Sequence, residues 1–104
     1  MTSIERAPGT FKEAINVLEA TLGYRVCKVS WEETVEYMSG ESPYGDITAV
    51  ENVLGNIYLM IHEIVEICEL KARGIEIDAD TVSRIAHTPI EKEAHYKASY
   101  HELR

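Results

Sequence analysis

Basic residues are scarce in this chain. Ten lysines and arginines face 18 aspartates and glutamates, and the formal net charge is −8. Nucleic-acid backbones and anionic membrane surfaces are bound by clustered Lys and Arg, so neither is an expected partner. A membrane-spanning run is missing too. The longest apolar run, Ile57-Tyr58-Leu59-Met60-Ile61, falls far short of the roughly 20 residues that cross a bilayer. Met1 to Gly9 carries no apolar run behind a basic start, so no secretory signal is expected and the default location is the cytoplasm. Cysteine is confined to Cys27 and Cys68, far apart and without a CxxC or Cys/His cluster. Two inert thiols in a reduced compartment are the expectation. There is no glycine-rich phosphate loop, no GxSxG, no HExxH and no internal repeat.

What is present reads as one folded unit. Hydrophobic residues make up 45% and charged residues 27% of 104 positions. That length and balance suit a single domain over residues 1–104. Four Ser/Thr-x-x-Glu patterns mark helix starts: Thr10 to Glu13, Ser30 to Glu33, Thr48 to Glu51 and Thr88 to Glu91. In each, the hydroxyl can accept from a first-turn N–H while the Glu reaches back to the cap. Pro89 suits a first helical position, where its missing N–H costs nothing. Asp78 or Asp80 offers a fifth start. Gly23, Gly40 and Gly74 read as helix stops with left-handed caps. Arg25 to Val29 and Ile75 to Ile77 read as extended, too little for a stable sheet. The expected class is all-α: a small helical bundle of four to five helices around one long central helix, about residues 48–73. Glu13, Glu33, Glu51 and Glu91 are assigned to capping rather than to chemistry.

The central helix carries Val50, Val53, Leu54, Ile57, Ile61, Ile64, Val65 and Cys68 on one broad face. Its turn from Ile57 to Ile61 is apolar all round, which predicts packing on most sides. His62, Glu66 and Glu69 share the opposite side, with Glu63 beside them. The spacing of Glu69 and Arg73 fits an ion pair one turn apart.

His62-Glu63-Ile64-Val65-Glu66 is the sharpest chemical feature. His62 and Glu66, one turn apart, can offer one cation an imidazole nitrogen and a carboxylate oxygen. Glu63 can add a ligand or a base for bound water. Two helical ligands do not complete a site, so others must come from elsewhere in the bundle. His87, His95 and His101 are the candidates, and Glu91 with His95 repeats the one-turn spacing. The metal ligands expected are His62, Glu63, Glu66, His87, His95 and His101. A mixed His and carboxylate set suits Zn²⁺, Mn²⁺ or Fe better than Mg²⁺.

A second segment points another way. Glu32-Glu33-Thr34-Val35-Glu36 resembles the EExxE motif of the all-α nucleoside triphosphate pyrophosphohydrolases, the MazG-like family. In that family a second helix follows with ExxD. Glu63-Ile64-Val65-Glu66 stands at that place, with Glu66 for the Asp. The resemblance covers about Trp31 to Ile77. It implies Glu32 or Glu33, Glu36, Glu63 and Glu66 as ligands of Mg²⁺ held against a triphosphate.

The C-terminal helix, from Pro89 onward, has two narrow apolar faces. Ile90, Ala94, Ala98 and His101 form one, and Tyr96, Tyr100 and Leu103 the other. The chain stops inside this pattern, as either a terminal helix that docks on a partner or a piece of a longer protein would. Two-sided character here and on the central helix points to a homo-oligomer. Three functional expectations follow. The first is a divalent-metal-binding protein using the HExxE helix. The second is a non-catalytic oligomeric interaction protein. The third is a pyrophosphohydrolase. The first two leave any small-molecule substrate unknown.

Overall fold

The computed structural model describes residues 8–40, 53–86 and 88–102. Its helices are α1 (Gly9–Ala20), α2 (Trp31–Ser39), α3 (Ile57–Ala72), α4 (Thr81–Ile85) and α5 (Pro89–Glu102). The described residues contain no strand, so the fold is a small all-α bundle. None of these helices is long and apolar enough to cross a membrane.

The helix starts follow local hydrogen bonding, but not always as the pattern predicts. At α2 the capping box forms in full: Ser30 Oγ accepts from Glu33 N, and Glu33 Oε1 accepts from Ser30 N, both at 3.0 Å. At α5 Thr88 Oγ1 accepts from Glu91 N at 3.2 Å, ahead of Pro89. At α1 the expected box does not form. The helix begins at Gly9, and Thr10 is spent on a long-range contact, its hydroxyl donating to Leu54 O at 3.0 Å. Tertiary packing outcompetes the local cap there.

The central helix is shorter than expected. It starts at Ile57, because Asn56 accepts from Tyr58 N and Leu59 N and so caps it, just after Gly55. Val53 and Leu54, before that break, are also helical. The proposed cap at Thr48 to Glu51 lies outside the described residues. At the other end Gly74 takes φ 78°, a left-handed cap as expected. Gly74 N donates to Lys71 O and Ile75 N to Leu70 O, which satisfies the last carbonyls. Gly40 departs from expectation, with φ −70°. It is needed for another reason: a Cβ there would run into the Ala79 carbonyl, so glycine lets the 78–80 turn lie against the end of α2.

Helix α3 is the spine of the bundle, with α1, α2 and α5 packed on it. One core cluster joins Phe11, Ala14 and Leu18 of α1 to Trp31, Val35 and Met38 of α2. From α3 it takes Met60, Ile61, Ile64 and Val65. A second gathers Tyr37, Ile67, Leu70, Ile77, Ile85 and Ala94. The all-round packing sits later than expected. Tyr58 and Leu59 are exposed, whereas Met60, Ile61, every residue from Glu63 to Cys68, and Leu70 are buried. Ala94 and Ala98 are fully buried, and their small side chains let α5 approach α3 closely.

The two cysteines are not free thiols. Cys27 and Cys68 form a disulfide with a Cα–Cα separation of 5.4 Å, across 41 positions of sequence. It staples the irregular segment after α1 to the spine. In a chain-entropy account, closing a loop of this length stabilises the fold by about 4 kcal/mol. The same segment is held by Lys71, whose Nζ donates to Lys28 O at 2.6 Å and to both Glu33 carboxylate oxygens at 2.9 and 3.0 Å.

Candidate metal centre

The close contact of α3 and α5 positions the centre. His62 and Glu66 stand one turn apart on α3. On α5, His95 sits just after the buried Ala94 and so at the edge of the helix interface. His62 Nε2 lies 3.0 Å from Glu66 Oε2, and His95 Nδ1 lies 3.3 Å from the same oxygen. The two imidazoles meet edge to face, with ring centroids 4.8 Å apart. One ligand atom from each of the three residues lies within 4.8 Å of the others.

The other carboxylate oxygen is also engaged. Tyr37, a buried residue of α2, donates its hydroxyl to Glu66 Oε1. Three elements therefore converge on one carboxylate. Glu66 is only 8% exposed, and burial works against its charge. Hydrogen bonds from His62, Tyr37 and His95 more than offset this and hold the carboxyl below its ordinary value. Among the described residues no Lys or Arg pairs with Glu66. The carboxylate's charge partners among the described residues are thus two histidines, which balance it only when protonated, and a bound cation could take that place.

The three donor atoms lie within 4.8 Å of one another, close enough to share one cation after small side-chain adjustments. Ligand atoms about 2.0–2.1 Å from a tetrahedral ion are about 3.3 Å from one another. Two of the three separations here are already at 3.0 and 3.3 Å. With both cysteines bridged, thiolate leaves the donor set, and two imidazoles and a carboxylate suit Zn²⁺, Mn²⁺ or Fe.

The remaining expected ligands are placed otherwise. Glu63 is buried on α3 but is not in the group. His101 is buried between aromatic rings, 4.8 Å from Tyr24 and 5.3 Å from Tyr100 by ring centroids, and is not in the group either. His87 lies outside the described residues. Glu91 does not accompany His95 into the centre. The acids implied by the pyrophosphohydrolase resemblance are dispersed. Glu33 is committed to Ser30 and Lys71, Glu32 and Glu36 are exposed, and none of them joins Glu63 or Glu66 in a cation-binding group among the described residues.

Sequence reasoning missed Tyr37. It lies between the Ser30 helix start and the Gly40 stop, and nothing local marks a tyrosine whose hydroxyl reaches a residue 29 positions away. No protein-family model, curated protein or solved structure matches this chain.

Proposed function

We propose that this protein binds a divalent cation through His62 Nε2, Glu66 Oε2 and His95 Nδ1. One observation carries the reading: two imidazole nitrogens from two helices converge on a single oxygen of a buried carboxylate that has no Lys or Arg partner among the described residues. Zn²⁺, Mn²⁺ and Fe are the ions that such donors prefer. The ion would replace the hydrogen bonds that now join the three side chains and would tie α3 to α5.

The test is metal analysis of untagged protein, followed by thermal melts with EDTA and with added Zn²⁺ or Mn²⁺. The proposal expects stoichiometric metal, or a higher melting temperature on adding it, reversed by chelator. No bound metal and no shift would remove the reading.

A homo-oligomer is a second proposal. Tyr58 (60%), Leu59, Tyr96 (75%) and Tyr100 are large and exposed on α3 and α5, and such residues favour interfaces. Sedimentation at micromolar concentration checks it, and a monomer there counts against it. For location, the Cys27–Cys68 bridge weighs against the reducing cytoplasm expected from the sequence, since disulfides persist in oxidising compartments. Thiol counting on freshly isolated protein decides between them.

A further inference from the structure

We infer that the His62/Glu66/His95 centre is an open one, whose ion keeps at least one coordination position for water or a small anion taken from solvent. The inference rests on the metal-binding reading above and adds what the ion is free to do.

Three observations carry it. The first is the number of donors. A tetrahedral ion takes four ligands and an octahedral ion six. Among the described residues the group supplies three, because Glu63 and His101 lie outside it. The second is the state of Glu66. Its Oε1 receives the Tyr37 hydroxyl, while Oε2 faces both histidines. The carboxylate is thus oriented to bind through one oxygen, and Tyr37 keeps the other from taking a further position. The third is the direction of access. The His62 and Glu66 side chains are nearly covered, whereas that of His95 is 63% exposed. The uncovered side of the centre is therefore the α5 side, where solvent reaches His95.

Charge points to the class of exogenous ligand. Two neutral imidazoles and one carboxylate leave a dication with a net charge of about +1, which favours a small monoanion or a bound hydroxide. Two-histidine, one-carboxylate sets with an open position are those that activate water or bind an oxygen ligand, whereas structural sites are closed by four protein donors. The ligand class is accordingly water, hydroxide, or a small carboxylate or oxyanion.

The test uses the untagged full chain loaded with Co²⁺, whose visible spectrum reports its ligands. Wild-type protein is titrated with azide, then acetate, then inorganic phosphate. The expected result is a saturable spectral change with at least one anion, at one equivalent of bound Co²⁺. Co²⁺ that binds stoichiometrically but shows no change with any anion would mean a closed site; it overturns this inference and leaves the metal-binding reading intact. No bound Co²⁺ overturns both. His95→Ala alters an exposed position and keeps the fold, which circular dichroism verifies. It is expected to abolish the spectrum, and an anion response that survives in this variant places the open position elsewhere and overturns the inference.

Discussion

Glu66 and Glu69 lie three residues apart on α3, and each accepts a hydrogen bond from a tyrosine hydroxyl of another segment. Tyr37 serves Glu66 and Tyr24 serves Glu69, the latter at 2.7 Å. Burial opposes the charge of both carboxylates, and hydrogen bonds hold both below the ordinary range. Their charge partners differ. Arg73 meets Glu69 at 3.2 Å and goes on to Glu93 of α5 at 3.1 Å. Glu69 is therefore neutralised by a permanent cation. Its acceptor role and the burial of Tyr24 together push that phenol well above its usual range, burial being the larger cause. Glu66 has two histidines where Glu69 has an arginine. An imidazole can give up its proton to a metal, and a guanidinium cannot. Two similar carboxylate–tyrosine pairs on one helix thus differ in one partner, and that partner separates a structural tie from a candidate centre.

The comparison breaks in different ways on the two sides. The largest effect belongs to the staple beside Glu69. Replacing Cys27 and Cys68 by serine is expected to lower unfolding stability by about 2–5 kcal/mol in urea titrations. Zinc stoichiometry is expected to survive, because neither cysteine belongs to the centre. Next comes the carboxylate exchange. Glu66→Gln preserves shape and is expected to weaken Zn²⁺ binding by more than the about 10–100-fold that loss of an outer-shell partner costs. Glu69→Gln is expected to leave the affinity within about twofold by calorimetry. Tyr37→Phe, which removes the bond orienting Glu66, falls in the 10–100-fold range itself. Tyr24→Phe costs about 1 kcal/mol of stability and no zinc affinity.

Smaller effects follow from pH and from the surface. A carboxyl whose folded pKa is depressed contributes stability that is present above its ordinary value of 4.5 and is lost as pH falls below it. Metal-free protein is therefore expected to lose stability below about pH 4.5, less steeply in Glu66→Gln or Glu69→Gln. Metal affinity is expected to fall on acidification as well, because ligand nitrogens must shed protons to bind. The smallest effect is Arg73→Gln. Its pairs with Glu69 and Glu93 are partly solvated, and thermal melts are expected to show a loss of about 0.2–1 kcal/mol.

The parts of this molecule legible from sequence are those with local causes. The Ser30 box, the Gly74 cap, the Thr88-Pro89 start and the Glu69–Arg73 pair all depend on residues within one or two turns. So does the pairing of His62 with Glu66. What escaped is tertiary. Thr10 abandons its cap for Leu54, and Gly40 is required by a carbonyl from residue 79. Cys27 finds Cys68 only because the segment after α1 lies on the spine. His95 is one of three candidate histidines, and spacing alone does not rank it above His101. The ranking comes from the close approach of α5 at Ala94 and Ala98, which brings position 95 to Glu66 and sends position 101 to Tyr24.

Glu66 and two histidines, rather than the cysteines or a ring of carboxylates, are the proposed ligands of the cation. X-ray absorption at the zinc edge of the stoichiometric complex tests this assignment most directly. The expected first shell is two imidazole nitrogens and one or two oxygens at about 2.0–2.1 Å, with imidazole outer-shell scattering that is lost in His62→Ala and His95→Ala. A sulfur shell near about 2.3 Å, or an oxygen-only shell, would contradict the account.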